Sequence, residues 1–292
     1  MAVLTFTTRP GDDQRRLDEC ILREMPELGT IGVRTVFQHR DVKLDGVRVR
    51  NNTRVRPGQR VDVYYMEDLA RNRTLDIVYE DGDVLLVNKQ AGISVETDDG
   101  GGVSLTDLAF QYVRGKDPSA PSPIPCHRLD HQTCGLLLMA RTPAAAEVLR
   151  QVFLSRSLDK RYTCLVRGVP KPPRAECAAY LIKHAEEARV EILDHPCPGA
   201  VQILTGYETL ETEGPLSRLR VHLITGRTHQ IRAHLSALGH PILGDDVYGD
   251  RSFNRIMKSQ GRLKLCASEL TLDTGGALPR LDHHPFTIPV PF

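Results

Sequence analysis

Near the middle of the chain, His127-Arg128-Leu129-Asp130 precedes Thr133, Cys134, Gly135 and the apolar run Leu136-Leu137-Leu138. An Arg-x-Asp set directly before a buried strand puts a carboxylate at the rim of a core. A carboxylate there is costly unless a cation pairs with it. Paired and ionised, it can serve as a nucleophile or a base. Taken alone, the motif reads first as a structural salt bridge. Other chemistries are easier to exclude. A kinase loop has no residue between its Arg and Asp and follows a glycine-rich loop. The Gly-x-x-x-x-Gly-Lys-Ser/Thr of a phosphate-binding loop is missing. The seven cysteines form no CxxC pair, the eleven histidines no HExxH, and the Pro-Cys-x-x-Cys of a zinc deaminase is absent. The cysteines read as reduced thiols used in packing.

The elements that must position Asp130 follow from periodicity. Residues 135–141 suit a buried strand, and Thr142-Pro143 caps a helix carrying Ala145, Val148, Leu149, Val152 and Phe153 on one face. RLRVHLIT at 218–225 alternates as a half-buried strand. THQIRAHLSAL reads as a helix ended by Gly239 and Pro241. IVYEDGDVLLV is a hairpin turning at Asp81-Gly82. Strands in hairpins with helices between them, and no strand-helix rhythm, indicate an α+β fold with a largely antiparallel sheet.

The first 68 residues read differently. Leu17, Cys20, Ile21 and Met25 line one helix face, interrupted by Glu24, and a second helix is expected over about 32–39 with Val33, Val36 and Phe37 inward. VKLDGVRVR is a hairpin turning at Asp45-Gly46, with Lys43, Arg48 and Arg50 on one face, and RPGQRVDVYY adds a strand. Between residues 30 and 60, Arg34, Arg40, Lys43, Arg48, Arg50, Arg54, Arg56 and Arg60 stand against Asp41 and Asp45, an excess of six in a chain of net charge +1. Such a field suits a phosphate backbone or a solvated charged face equally. Residues 66–75 read as a linker and 98–102 as a loop. No apolar run approaches the roughly 20 residues of a membrane span, and MAVLTFTTRPGDDQRR lacks the apolar core of a signal peptide. A monomer in the cytoplasm, with no membrane partner, is the expectation.

The company of Asp130 points further. HRLDHQTCGLLL resembles the defining motif of the RluA-type pseudouridine synthases. IVYEDGDVLLVNKQAG, KRYTCLVRG and TGRTHQIRAHLSALGHPILGDDVYG follow in that family's order and approximate spacing. The resemblance covers about 76–272. The helix-helix-hairpin-strand order before it resembles the alpha-L RNA-binding domain, with Gly32-Val33-Arg34 where that module usually carries Ser-Arg. The domains implied are 1–68, a small α/β RNA-binding module, and 74–292, catalytic.

The resemblance implies that uridine in RNA is isomerised to pseudouridine without cofactor or metal, on ribosomal RNA or tRNA, with the alpha-L module favouring large-subunit ribosomal RNA. It makes Asp130 the catalytic carboxylate, Arg232 its cation, Tyr162 the ring that stacks on a flipped base, and Leu265 the pocket floor. Arg128 would enter the stack that the uridine leaves; flipping is needed because a stacked glycosidic bond is out of reach. His127 and His229 are read as scaffold or RNA contacts, and His234 likewise. Gln90, Cys134 and Cys164 depart from the family's usual Pro, Ser/Thr and Ala. A silent RNA-binding relative would have lost Asp130, Tyr162 or Arg232, and all three are present.

Overall fold

The computed structural model describes residues 2–25, 28–49, 52–65, 75–96, 103–184, 189–259 and 261–292. The linker and the 98–102 loop expected from sequence fall almost wholly outside these residues, as does Arg50. The chain divides into two compact units, residues 1–75 with 94–120, and residues 76–93 with 121–292.

In the first unit, strands β1 (Ala2–Thr7), β2 (Val42–Leu44), β3 (Val47–Val49) and β4 (Arg60–Tyr65) form an antiparallel sheet in the order β1-β4-β2-β3. Helices α1 (Leu17–Glu24) and α2 (Gly29–Gln38) belong with it. Their apolar stripes, Leu17, Cys20 and Ile21 on one and Val33, Val36 and Phe37 on the other, share a core with Val42, Val61 and Val63. The β2–β3 turn has Asp45 at φ 51° and Gly46 at φ 82°, the left-handed pair that a two-residue hairpin requires. Patterning does not announce β1, whose alternation is weak. The basic sheet face is real but tempered. Lys43 pairs with Arg48 across the hairpin and with Asp62 on its other side. The buried Asp62 carboxylate accepts from Thr5 and Arg60. A third helix, α3 (Leu105–Lys116), also falls in this unit and was not anticipated from sequence. Its capping box uses Ser104 and Asp107.

The second unit is built on one eleven-stranded sheet. Its strands are β5 (Ile77–Glu80), β6 (Val84–Lys89), β7 (Ile124–Pro125), β8 (Cys134–Ala140), β9 (Leu158–Arg167), β10 (Arg174–His184), β11 (Arg189–Leu193), β12 (Val201–Glu213), β13 (Leu216–Leu223), β14 (Leu265–Leu272) and β15 (Phe286–Thr287). The order is β11-β10-β12-β13-β9-β14-β8-β6-β5, with β15 added to β14 and β7 to β8. Helices α4 (Pro143–Ser155), α5 (Gln230–Ala237) and α6 (Arg251–Ile256) complete it. Leu136, Leu138 and Ala140 of β8 meet Ala145, Leu149 and Val152 of α4, while Ala233 of α5 packs on Ala179, Leu181 and Ile203.

Every pairing in this sheet is antiparallel except one. β14 and β8 run parallel, Cys266 beside Cys134 and Ala267 beside Gly135. Gly135 is held at φ 116°, and a Cβ there would lie 2.3 Å from the Ala267 carbonyl oxygen. Only glycine lets the two backbones approach so closely. This junction joins the two halves of the sheet, and Asp130 lies in the loop that leads into it. The α+β architecture with a largely antiparallel sheet is the one expected from sequence.

Candidate active site

The Asp130 loop runs between β7 and β8. The Thr133 amide donates to the Asp130 carbonyl (3.0 Å), and the Gly92 amide to the His131 carbonyl (2.8 Å). Beneath it lies a side chain whose role the sequence did not disclose. Lys89, at the end of β6, is fully buried and its ammonium donates to the carbonyls of Ile93 (2.8 Å), Gln90 (3.2 Å) and His131 (3.2 Å). A buried cation is tolerated only when such acceptors replace water. The Lys of VLLVNK thus fastens the Asp130 loop to the sheet.

Arg232, on the buried face of α5, reaches the Asp130 carboxylate, Nη1 to Oδ2 at 3.2 Å. It is fixed elsewhere. Its Nε and Nη2 donate to the two oxygens of Asp245 (2.7 and 2.9 Å), and Nη2 also to exposed Asp246 (3.3 Å). The Asp245 side chain is fully buried. Burial pushes its carboxyl up, but Arg232 and the amides of Tyr248 and Val247 more than offset that and hold it below the usual carboxylate range. Burial also works against the guanidinium charge, and its carboxylate partners keep it protonated. The fork on Asp245 therefore aims the remaining nitrogen at Asp130. Asp245 was not among the residues singled out from sequence. The signal available was the burial expected of Arg232 on an amphipathic helix, which demands a carboxylate.

Tyr162 lies on β9 with Val221 of β13 on one side and Ala267 of β14 on the other. It is buried, and burial together with the negative charge of Asp130 pushes its hydroxyl up, so it stays a neutral phenol. Leu265 is buried on β14 opposite Cys164, two residues along β9 from Tyr162. Cys134 Sγ lies 3.5 Å from its carbonyl. Arg128 is exposed and has no ion-pair partner among the described residues. Asp130, Arg232, Tyr162 and Leu265 thus gather from a loop, a helix and two adjacent strands.

The histidines separate. His127 turns inward, stacks on Phe153 at 5.1 Å and accepts the Leu138 amide on Nε2 (3.1 Å). Burial, helped by Lys160, lowers it to about 3. It is a neutral acceptor holding β8, an arrangement in keeping with the scaffold reading. His234 bonds Thr205 inside the core. His229 belongs to the site. At φ 54° it precedes α5, with Nε2 3.9 Å from Asp130 Oδ2 and Nδ1 3.0 Å from the Tyr248 hydroxyl. Among the described residues no group of three His, Cys, Asp or Glu could hold a metal ion, and no helix is long and apolar enough to cross a membrane.

Comparison with known proteins agrees with this arrangement. A family model described as RNA pseudouridylate synthase matches residues 83–237, a stretch holding Asp130, Tyr162 and Arg232. The chain is 31% identical to ribosomal large subunit pseudouridine synthase D of Haemophilus influenzae, over 85% of this chain and 77% of that protein. It is 28% identical to synthase C of Vibrio parahaemolyticus, over 82% and 78%. The solved structure of human RNA pseudouridylate synthase domain containing 1 superposes with a TM-score of 0.60 at 31% identity, covering 75% of this chain and 84% of that one. A carboxylate flanked by a fixed guanidinium and a neutral phenol thus sits in a chain that belongs to the RluA-type RNA pseudouridylate synthases, isomerases that convert uridine to pseudouridine in RNA.

Proposed function

We propose that Asp130 is the catalytic carboxylate and that the uridine it isomerises lies in large-subunit ribosomal RNA. The observation that carries the first half is the Arg232–Asp130 contact, a charged acid kept beside a cation that is itself locked by Asp245. In this reading the uridine is flipped out of its stack and Arg128 fills the gap. Tyr162 stacks on the base, and Leu265 forms the floor. Asp130 acts while the bond from N1 to the ribose breaks, the base turns and C5 bonds to the sugar. The proton leaves C5 and N1 gains one, so the reaction balances without redox change.

The substrate class is supported by the names of the two bacterial relatives and by the first 68 residues, read as an alpha-L type RNA-binding domain ahead of a catalytic domain at 74–292. Arg34, Arg48 and Arg56 are exposed there without ion-pair partners among the described residues. Replacing the three by Gln is expected to weaken RNA binding at moderate salt. The slope of log affinity against log salt should flatten by about 0.7–0.9 for each phosphate that is no longer neutralised. Filter binding across a salt series measures both, and unchanged slopes would remove this domain from the RNA interface. Mapping pseudouridine at single-nucleotide resolution in cells with and without the protein tests the substrate. Loss of a site in large-subunit ribosomal RNA is the expected result, and loss confined to tRNA would replace that reading.

A further inference from the structure

Asp130 has two oxygens, and the structure treats them differently. Oδ2 faces both Arg232 Nη1 at 3.2 Å and His229 Nε2 at 3.9 Å. Oδ1 has no hydrogen-bond or ion-pair partner among the described residues. Whether His229 strengthens or opposes the carboxylate depends on which ring nitrogen carries its proton.

The surroundings of Tyr248 favour one of the two. Its hydroxyl oxygen accepts the Val190 amide at 2.9 Å and lies 3.0 Å from His229 Nδ1. With the amide on one lone pair, the phenol still has its proton to give, and among the described residues Nδ1 lies in reach to accept it, although the second lone pair could instead accept an Nδ1–H. A neutral imidazole that accepts on Nδ1 carries its own proton on Nε2. Burial keeps both groups neutral, pushing the Tyr248 hydroxyl up and the His229 imidazole down, the latter against the nearby charge of Asp130.

The tyrosine is itself held rigidly. Its amide donates to Asp245 (2.9 Å), its carbonyl accepts from Ser236 (2.7 Å), and the guanidinium groups of Arg232 and Arg189 lie over its ring at 5.4 and 5.7 Å. His229 meets the ring edge-on and adopts a left-handed backbone that a non-glycine residue rarely accepts without reason.

We propose that Tyr248 sets the tautomer of His229, so that an Nε2–H faces Oδ2 of Asp130, and that this donor and Arg232 together occupy Oδ2 and leave Oδ1 as the oxygen that meets the substrate. The proposal rests on Asp130 being the catalytic carboxylate. His229 and Tyr248 are then positioning residues. The 3.9 Å separation is too long for a hydrogen bond, and catalytic hydrogen bonds that are loose without substrate tighten in the complex.

The experiment combines 15N spectra of histidine-labelled protein with single-turnover kinetics on the RNA that the wild-type enzyme modifies. The His229 signals are assigned by their loss in His229→Gln. In wild type the unprotonated nitrogen should be Nδ1. Tyr248→Phe keeps the ring and loses the hydroxyl. It should move His229 away from the pure Nε2–H form and slow the chemical step about tenfold, with RNA affinity unchanged. Gln places an N–H where Nε2 stands and needs no proton from Tyr248. His229→Gln should therefore keep most of the rate, and adding Tyr248→Phe to it should cost nothing more. An Nδ1–H tautomer in wild type overturns the proposal. So does a Tyr248→Phe rate loss that persists undiminished in the Gln background. Turnover by Asp130→Asn would instead sink the reading of the site, and the tautomer result would still stand.

Discussion

Asp130→Asn is expected to abolish pseudouridine formation, by on the order of 10^4-fold or more, while the protein binds RNA as tightly as wild type. Asn is nearly isosteric with Asp but carries no charge and cannot act as nucleophile or base. The fold should tolerate it. Asp130 is only partly buried, and Arg232 stays neutralised by Asp245 and Asp246. Stability and RNA affinity are therefore expected to stay close to wild type, which separates a chemical defect from a folding one. Single-turnover assays with a matched binding curve provide the check. Measurable turnover at a rate near wild type would show that another group does the chemistry.

Arg232→Met should damage both fold and rate. The guanidinium is buried and bonded to a carboxylate with no solvent access, so removing it strands Asp245 as an unpaired buried charge. Breaking such a pair typically costs about 3–5 kcal/mol. The effect has a defined pH dependence. In wild type the Asp245 carboxyl is held below its ordinary value, so its contribution to stability is present above the unfolded value and is lost as pH falls through the folded one. In the Met variant the same carboxyl is buried without its cation, and protonation relieves the penalty. The stability gap between the two proteins is thus expected to be widest near neutrality and to narrow in acid. Arg232→Lys should recover part of the loss, since it restores charge without the planar fork that engages both oxygens of Asp245. Denaturant titrations of the three proteins from neutral to acid pH measure this. A gap that does not vary with pH would mean that Asp245 does not depend on Arg232.

Local signals in the sequence were short-range and survived intact. The Asp45-Gly46 turn, the Thr142-Pro143 cap, the stripes of α1, α2 and α4 and the buried run of β8 each depend on a few neighbouring residues, whose backbone preferences and periodicity suffice to specify them. The proposed catalytic carboxylate Asp130 was legible too, through HRLDHQTCGLLL and the motifs that follow it in order, as were Arg232, which the structure places against it, and Tyr162. What stayed hidden were partners. Asp130 and Arg232 are 102 residues apart in sequence, and what brings them together is the β14–β8 junction, whose close approach only Gly135 permits. Nothing local says that Lys89 lies fully buried under the Asp130 loop, or that Arg232 spends its fork on Asp245 and offers Asp130 a single nitrogen. Nor does anything local turn His127 toward Phe153 and the Leu138 amide and leave His229 at the carboxylate. The sequence by itself singled out the side chains proposed to carry the chemistry, because residue type and motif order are legible without the fold. Which of them are paired, neutral or aimed at Asp130 was decided by tertiary structure alone, because burial and charge depend on atoms contributed by distant strands.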